Sequence, residues 1–298
     1  MPAVISHCIL AERVKEGLED IRPQLKINRN AFLWGASGPD PFFCHRLMPW
    51  CRQRSLSRYG SLIHNDPAYK ILNFLADYAR FNNDDIAMSY ALGFVTHYAF
   101  DSIAHPFVLY FSDKMAYKNK GKHQSVCHNE IEAALDSLFL RYEKNVKISG
   151  IKLQKAAPMD KKVNRSIAAV LCKYLRTAYK VNVNASELMV VQRDWHNSLA
   201  LLNDKTYIKR TAVIQVEKAI GLKPMLSPMF REDHPRLMPD YANLSHSLWF
   251  SQTEQKEHNE SFFELADIAE EFSIKLIACI VSGRRLTADQ CSATFSGH

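Results

Sequence analysis

The chain has 298 residues, 47% of them apolar and 23% charged, which excludes a disordered or fibrous protein and leaves one large domain or two closely packed ones. Its 10 glycines and 12 prolines are too few for a sandwich or barrel that must turn after every short strand, so the chain reads as all-α. A net charge of +7 favours anionic partners but is too diffuse to mark nucleic-acid binding.

In chain order, Ile5 to Leu18 carries apolar residues at Ile9, Leu10, Val14 and Leu18, the pattern of a first helix. His7, Glu12, Arg13, Lys15 and Glu16 interrupt this stretch where a secretory signal needs an apolar run, so the expected location is cytoplasmic. Seven cysteines, an odd number with no CxxC pair, read as reduced thiols. Asn28 to Trp34 leads into a turn rich in breakers, residues 35–41, and Cys51 to Gly60 reads as a polar loop or short helix. Asp66-Pro67 reads as an N-cap followed by Pro at the first helical position, opening a helix to about Arg80.

Residues 83–85 (Asn-Asp-Asp) cap a long apolar segment, Ile86 to Phe111. His97, Asp101 and His105 lie within it, and ionisable groups at bilayer depth are expensive, so it reads as a buried core helix with a polar stripe rather than a membrane span. Pro106 predicts a kink. A basic loop (Lys114, Lys118, Lys120, Lys122) precedes a helix from Gln124 to Tyr142; it reads as solvated, with contact to phosphate headgroups as the alternative. Further amphipathic segments are Val163–Val181, Ala185–Leu202, Ile208–Ile220 and Ser261–Val281, the last two separated by an irregular run with four prolines, Leu222 to Asn259. Lys147 to Lys162 is the boundary candidate, giving residues 1–146 and a helical half, 147–298, packed on them.

His97, Asp101 and His105 are spaced four apart, so each successive side chain drifts only about 40° around the helix and all share one face. Imidazole and carboxylate stacked this way suit zinc, although a satisfied buried hydrogen-bond network would look the same. His128 and Glu132 repeat the spacing on the next helix, and facing helices are a common way to build a metal site. His123 is off that face and reads as a loop residue, or as a substitute for His128 if the helix begins later. Cys8 and Cys127 point away from the stripes and read as packing residues. His7, Asp40 in its Pro-flanked turn and His64 before Asn65-Asp66-Pro67 are further candidates, each ordinary taken singly. Trp195-His196, Asn243 to His246 and Trp249 read as core, with a lid as the alternative; His234, His258 and His298 read as surface.

Five segments in order, ISHCILAERV, WGASGPDPFF, GSLIHNDPAY, HYAFDSIAHP and HNEIE, resemble the zinc-dependent phospholipase C/D domain family over about residues 2–140. That family is related in metal-site plan to the S1/P1-type nucleases. The resemblance implies a multi-helix bundle with two or three zinc ions (Zn2+) in a cleft between helices. It implies one zinc held by His64, His97, Asp101 and Asp40, a second by His105, His128 and Glu132, and a third by His7 with Asp101 bridging. The family's bacterial enzymes complete the third site with the amino terminus of the processed chain, and the part of Met1 or Pro2 here stays open.

The expected activity is hydrolysis of a phosphodiester by a zinc-activated water, with Asp40 orienting or deprotonating that water and a phospholipid at a membrane surface as the substrate class. The alternatives are a nuclease-like phosphodiesterase, for which the diffuse charge gives no support, and a non-catalytic zinc-stabilised binding module.

Overall fold

Asp84 starts the helix that organises this protein: its carboxylate accepts the N–H groups of Ile86 and Ala87, both at 3.0 Å, satisfying donors that a helix start leaves open. The computed structural model describes residues 3–47, 51, 53–221, 223–234 and 240–295. In chain order the elements are α1 (Val4–Ile21), α2 (Arg29–Ala36), a 3-10 turn (Asp40–Cys44), α3 (Ser57–Asn65), α4 (Ala68–Phe81), α5 (Asp85–Lys118), α6 (Gln124–Lys144), α7 (Lys161–Tyr179), α8 (Ala185–Leu202), α9 (Ile208–Ala219), a hairpin of β1 (Trp249–Ser251) and β2 (Lys256–His258), and α10 (Phe262–Val281). The two strands pair antiparallel with Trp249 opposite His258. The fold is all-α apart from this hairpin and short 3-10 turns, among the described residues.

α5 is apolar on every side over most of its length, and such a helix is stable only when surrounded. It is: α2, α4, α6 and α10 pack along it, and α1 and α7 touch it. The tightest crossing is with α2, where a Cβ on Gly35 would come within 2.2 Å of the Tyr90 carbonyl oxygen and one on Gly93 within 2.0 Å of that of Phe32. Glycine at both points lets the two backbones meet. No helix among the described residues is long and apolar enough to cross a membrane.

The structure departs from the sequence reading in several places. α5 continues through Pro106 to Lys118, because packing on all sides holds the helix across the missing N–H; Lys114 and Lys118 are therefore helical and the loop is shorter. Lys122 pairs with Glu130 at 2.7 Å rather than standing free. Asp66 does not cap α4: no side chain does, and its carboxylate instead accepts the Tyr179 hydroxyl at 2.6 Å. His64 lies in the last turn of α3, shortly before α4 begins at Ala68. The irregular run after α9 contains the hairpin, and His258 is largely buried there, stacked on Trp249 at 4.5 Å between Glu254 and Glu260. Trp195 is buried, its N–H donating to Ser37 Oγ at 3.3 Å, and His196 bonds the Ala157 carbonyl at 2.8 Å, so both serve packing rather than a lid. His234 is exposed, while Met1, Pro2 and His298 lie outside the described residues. None of the seven cysteines is in a disulfide.

Candidate metal centre

Five elements bring eight side chains together. α1 supplies His7, the 3-10 turn Asp40, α3 His64, α5 the stripe His97, Asp101 and His105, and α6 the pair His128 and Glu132. Asp101 is the hub. One of its oxygens lies 3.2 Å from His7 Nε2; the other lies 3.2 Å from His97 Nε2 and 3.7 Å from His64 Nε2. Asp40 approaches His64 Nε2 at 3.4 Å. One turn further along, His128 Nε2 is 3.3 Å from Glu132 Oε1, and the His105 and His128 rings meet edge to face at 5.2 Å.

The backs of the rings are fixed. His97 Nδ1 meets the Ala36 carbonyl at 3.1 Å and His64 Nδ1 the Gly60 carbonyl at 2.7 Å. A carbonyl can only accept, so each Nδ1 carries the proton and each Nε2 presents its lone pair to the cluster in the neutral ring. The position of His97 depends on Gly38, which has φ +51°; a Cβ there would lie 2.1 Å from His97 Cδ2. The Gly35–Gly93 crossing carries Ala36 to the same ring.

His7 and His97 form the floor of the centre, 5% and 0% exposed, with their rings stacked at 4.4 Å. Asp40, His64, Asp101, His105, His128 and Glu132 line an open cleft of about 250 Å³, with Phe43 and Phe295 among its walls. Burial by itself opposes charge on Asp101 and Glu132. Even so, the imidazoles of His97 and His7 hold the Asp101 carboxyl well below the usual carboxylate range, and the Glu132 carboxyl is also held below it, with His128 among the causes.

Whether this donor set fits a metal can be tested on two observations. Ligands about 2.0–2.1 Å from a tetrahedral zinc stand roughly 3.3 Å from one another, which is the spacing found around Asp101. In addition, buried His7 Nδ1 and His97 Nε2 make no hydrogen bond of regular geometry, though the Asp101 carboxylate lies 3.2 Å from His97 Nε2. Orphaned buried nitrogens are costly, and a cation is one way to satisfy them. Two groups, His7–His97–Asp101 and Asp40–His64–His97, each place three ligand atoms within 4.8 Å of one another. The residues fit.

His123 is exposed at the α6 N-cap and is not beside the cluster; Cys127 is buried and Cys8 packs against the core. The sequence reading passed over Asp136, two turns beyond His128 on α6 with Glu132 between them. Asp136 is 0% exposed and accepts the N–H groups of Ile5 and Ser6, the Ser6 hydroxyl and Arg231 Nε. α1 has no side-chain cap of its own, so a carboxylate 130 residues away caps it just before His7. The continued i+4 spacing, His128-Glu132-Asp136, was the available signal. Phe295, fully buried against His64 and His97, had none, because its contacts depend entirely on tertiary structure.

A helical protein that gathers imidazoles and carboxylates at the head of an open cleft belongs to the metal-site class of all-α proteins. A family model described as zinc dependent phospholipase C matches residues 6–181, and the chain belongs to that family. The match runs through α7, beyond the five segments that carry the resemblance. No curated protein and no solved structure matches the chain.

Proposed function

We propose that the cleft is the active centre of a zinc-dependent hydrolase that cleaves phosphodiesters, with a phospholipid as the substrate class. The observation that carries this reading is Asp101, whose two oxygens are shared among His7, His97 and His64 at 3.2–3.7 Å, while His97 Nε2 on the side facing it and His7 Nδ1 have no hydrogen-bond partner. In this reading His64, His97, Asp101 and Asp40 hold one zinc, His105, His128 and Glu132 a second, and His7 with Asp101 a third. Zinc at such positions supplies water acidified towards neutrality and positive charge for the phosphoryl oxygens.

The chain's own residues set the rest. Ala36 and Gly60 lock the tautomers of His97 and His64, so these rings are ready to bind without reorienting. Asp40 sits at the cleft between Pro39 and Pro41, and its carboxylate orients the attacking water and takes its proton. Residues 147–298 complete the wall through Phe295. The open cleft supports a catalytic over a structural role, since structural zinc sites are closed.

The test is metal analysis of the purified chain combined with turnover of bis-p-nitrophenyl phosphate before and after chelation. Bound zinc and activity lost on chelation and restored by zinc are expected. Activity that survives complete metal removal overturns the mechanism, and bound zinc with no turnover of any phosphodiester overturns the catalytic reading.

A further inference from the structure

α9 is built against the usual pattern of a surface helix. Of its residues only Glu217 is buried, and that carboxylate turns inward to accept the N–H groups of Met225, Leu226 and Ser227 at 2.9, 2.8 and 3.3 Å. Val213 packs on the core, but three apolar residues face out: Ile208 is 69% exposed, Val216 57% and Ile220 60%, with Met225 at 57% just beyond the helix. Ala212 and Ala219 fill the same outer face. Exposed lysines flank it, Lys205 and Lys209 at one end and Lys218 and Lys223 at the other. Between residues 205 and 225 the only acid is Glu217. Asp204, just before this stretch, gives its carboxylate to the N–H groups of Arg210 and Thr206, so the outer surface is apolar at its centre and predominantly cationic at its rim.

We infer that α9 is an interfacial helix that seats the protein on an anionic phospholipid bilayer. An apolar face rimmed by lysine is the arrangement that partitions into the headgroup boundary, and a predominantly cationic rim matches anionic lipid. A second copy of the chain is a poor occupant, because a twofold contact through this face would oppose lysine to lysine with no carboxylate between them. The surface also borders a groove that shares one wall residue with the metal cleft. An apolar groove of about 410 Å³ runs from Met225 and Leu226 past Leu199 and Leu202 to Phe43, and Phe43 lines the cleft as well. The docking deepens the phospholipid reading of that cleft and rests on it for the lipid's destination; binding to the bilayer itself requires no turnover.

The experiment is co-sedimentation of the full chain with phosphatidylcholine vesicles made with and without phosphatidylserine. The wild type is expected to sediment with the anionic vesicles and to be released by salt. The double variant Val216→Asp/Ile220→Asp should bind about tenfold or more weakly, having lost its apolar anchor. Lys218→Glu/Lys223→Glu should lose the preference for phosphatidylserine. All these positions are exposed, and turnover of bis-p-nitrophenyl phosphate should stay at the wild-type level. If the Asp pair lowers thermal stability, Ile208→Asp at the opposite end carries the same expectation. A wild type that ignores both kinds of vesicle overturns the inference, as do variants that bind like the wild type. Variants that dissociate a dimer while leaving vesicle binding unchanged also overturn it. Failure of the hydrolase reading would look different: vesicle binding intact, with no zinc-dependent turnover of the soluble diester.

Discussion

Arg231 Nε lies 2.7 Å from Asp136 Oδ2, and both side chains are shut off from solvent. The same carboxylate holds the N–H groups of Ile5 and Ser6, so this pair from distant parts of the chain sets the start of α1 and with it the ring of His7. Removing one partner of a buried ion pair typically costs about 3–5 kcal/mol, since the other charge is left uncompensated. Arg231→Met should therefore destabilise by about that amount. Asp136→Asn keeps an acceptor for α1 but loses the charge, and it too should lower the melting temperature. Because His7 follows the capped residues directly, both variants should also bind less zinc per chain. A normal metal content in a destabilised Arg231→Met protein would separate the pair from the site.

Much of this site was legible in the sequence because it is written in helical periodicity. His97, Asp101 and His105, and then His128 and Glu132, share faces by spacing alone, and the helices on which they lie formed as the apolar pattern required. What was not legible came from contacts between distant segments. Asp66 reads as the cap of α4 but gives its carboxylate to the Tyr179 hydroxyl; α5 runs on past Phe111 to Lys118. Phe295 reaches the centre, and Arg231 reaches the Asp136 carboxylate that caps α1, from beyond any motif, and no local pattern could place them.

Gly38 is the backbone position on which His97 depends. Its φ of +51° is left-handed, and a side chain would enter the imidazole. The left-handed conformation costs a non-glycine residue about 1–2 kcal/mol, and the clash adds to it. Gly38→Ala should lower stability modestly and zinc affinity by about tenfold or more, as expected when a supporting contact to a ligand is lost. Competition with a chromogenic chelator measures the affinity, and a thermal melt of the metal-free protein measures the strain separately.

The metal-stripped chain should respond to pH in the opposite sense to the loaded one. Burial opposes charge on His97, but the Asp101 carboxylate outweighs it and raises its pKa above 6.5. The stabilisation is complete below the unfolded value and is lost as pH rises through the higher folded one. Asp101, held well below the ordinary 3.8, contributes above the unfolded carboxylate range, and its share is lost as pH falls through the lower folded value. The centre of the metal-free protein therefore contributes most between about pH 4 and 6.5. Zinc competes with protons for the same nitrogens, so the loaded protein should lose stability as pH drops through that window. Melting curves against pH for both forms test this; Asp101→Asn should flatten the metal-free profile.

Asp40 and Asp101 should separate when each carboxylate is replaced by its amide. Asp101 sits among His7, His64 and His97, whereas Asp40 makes its nearest approach to His64, with His97 further off, and lines the cleft from a Pro-flanked turn. Asp101→Asn removes the charge that holds the centre together, so it should reduce zinc per chain and abolish turnover. Asp40→Asn keeps an oxygen near His64 but cannot take a proton. Turnover should fall about 10²–10⁴-fold, the usual cost of losing a general base, while most of the zinc is retained. Metal analysis alongside kcat and KM for bis-p-nitrophenyl phosphate distinguishes the two. Zinc lost in parallel with activity in Asp40→Asn would make Asp40 a ligand only, and full activity in that variant would remove it from the mechanism.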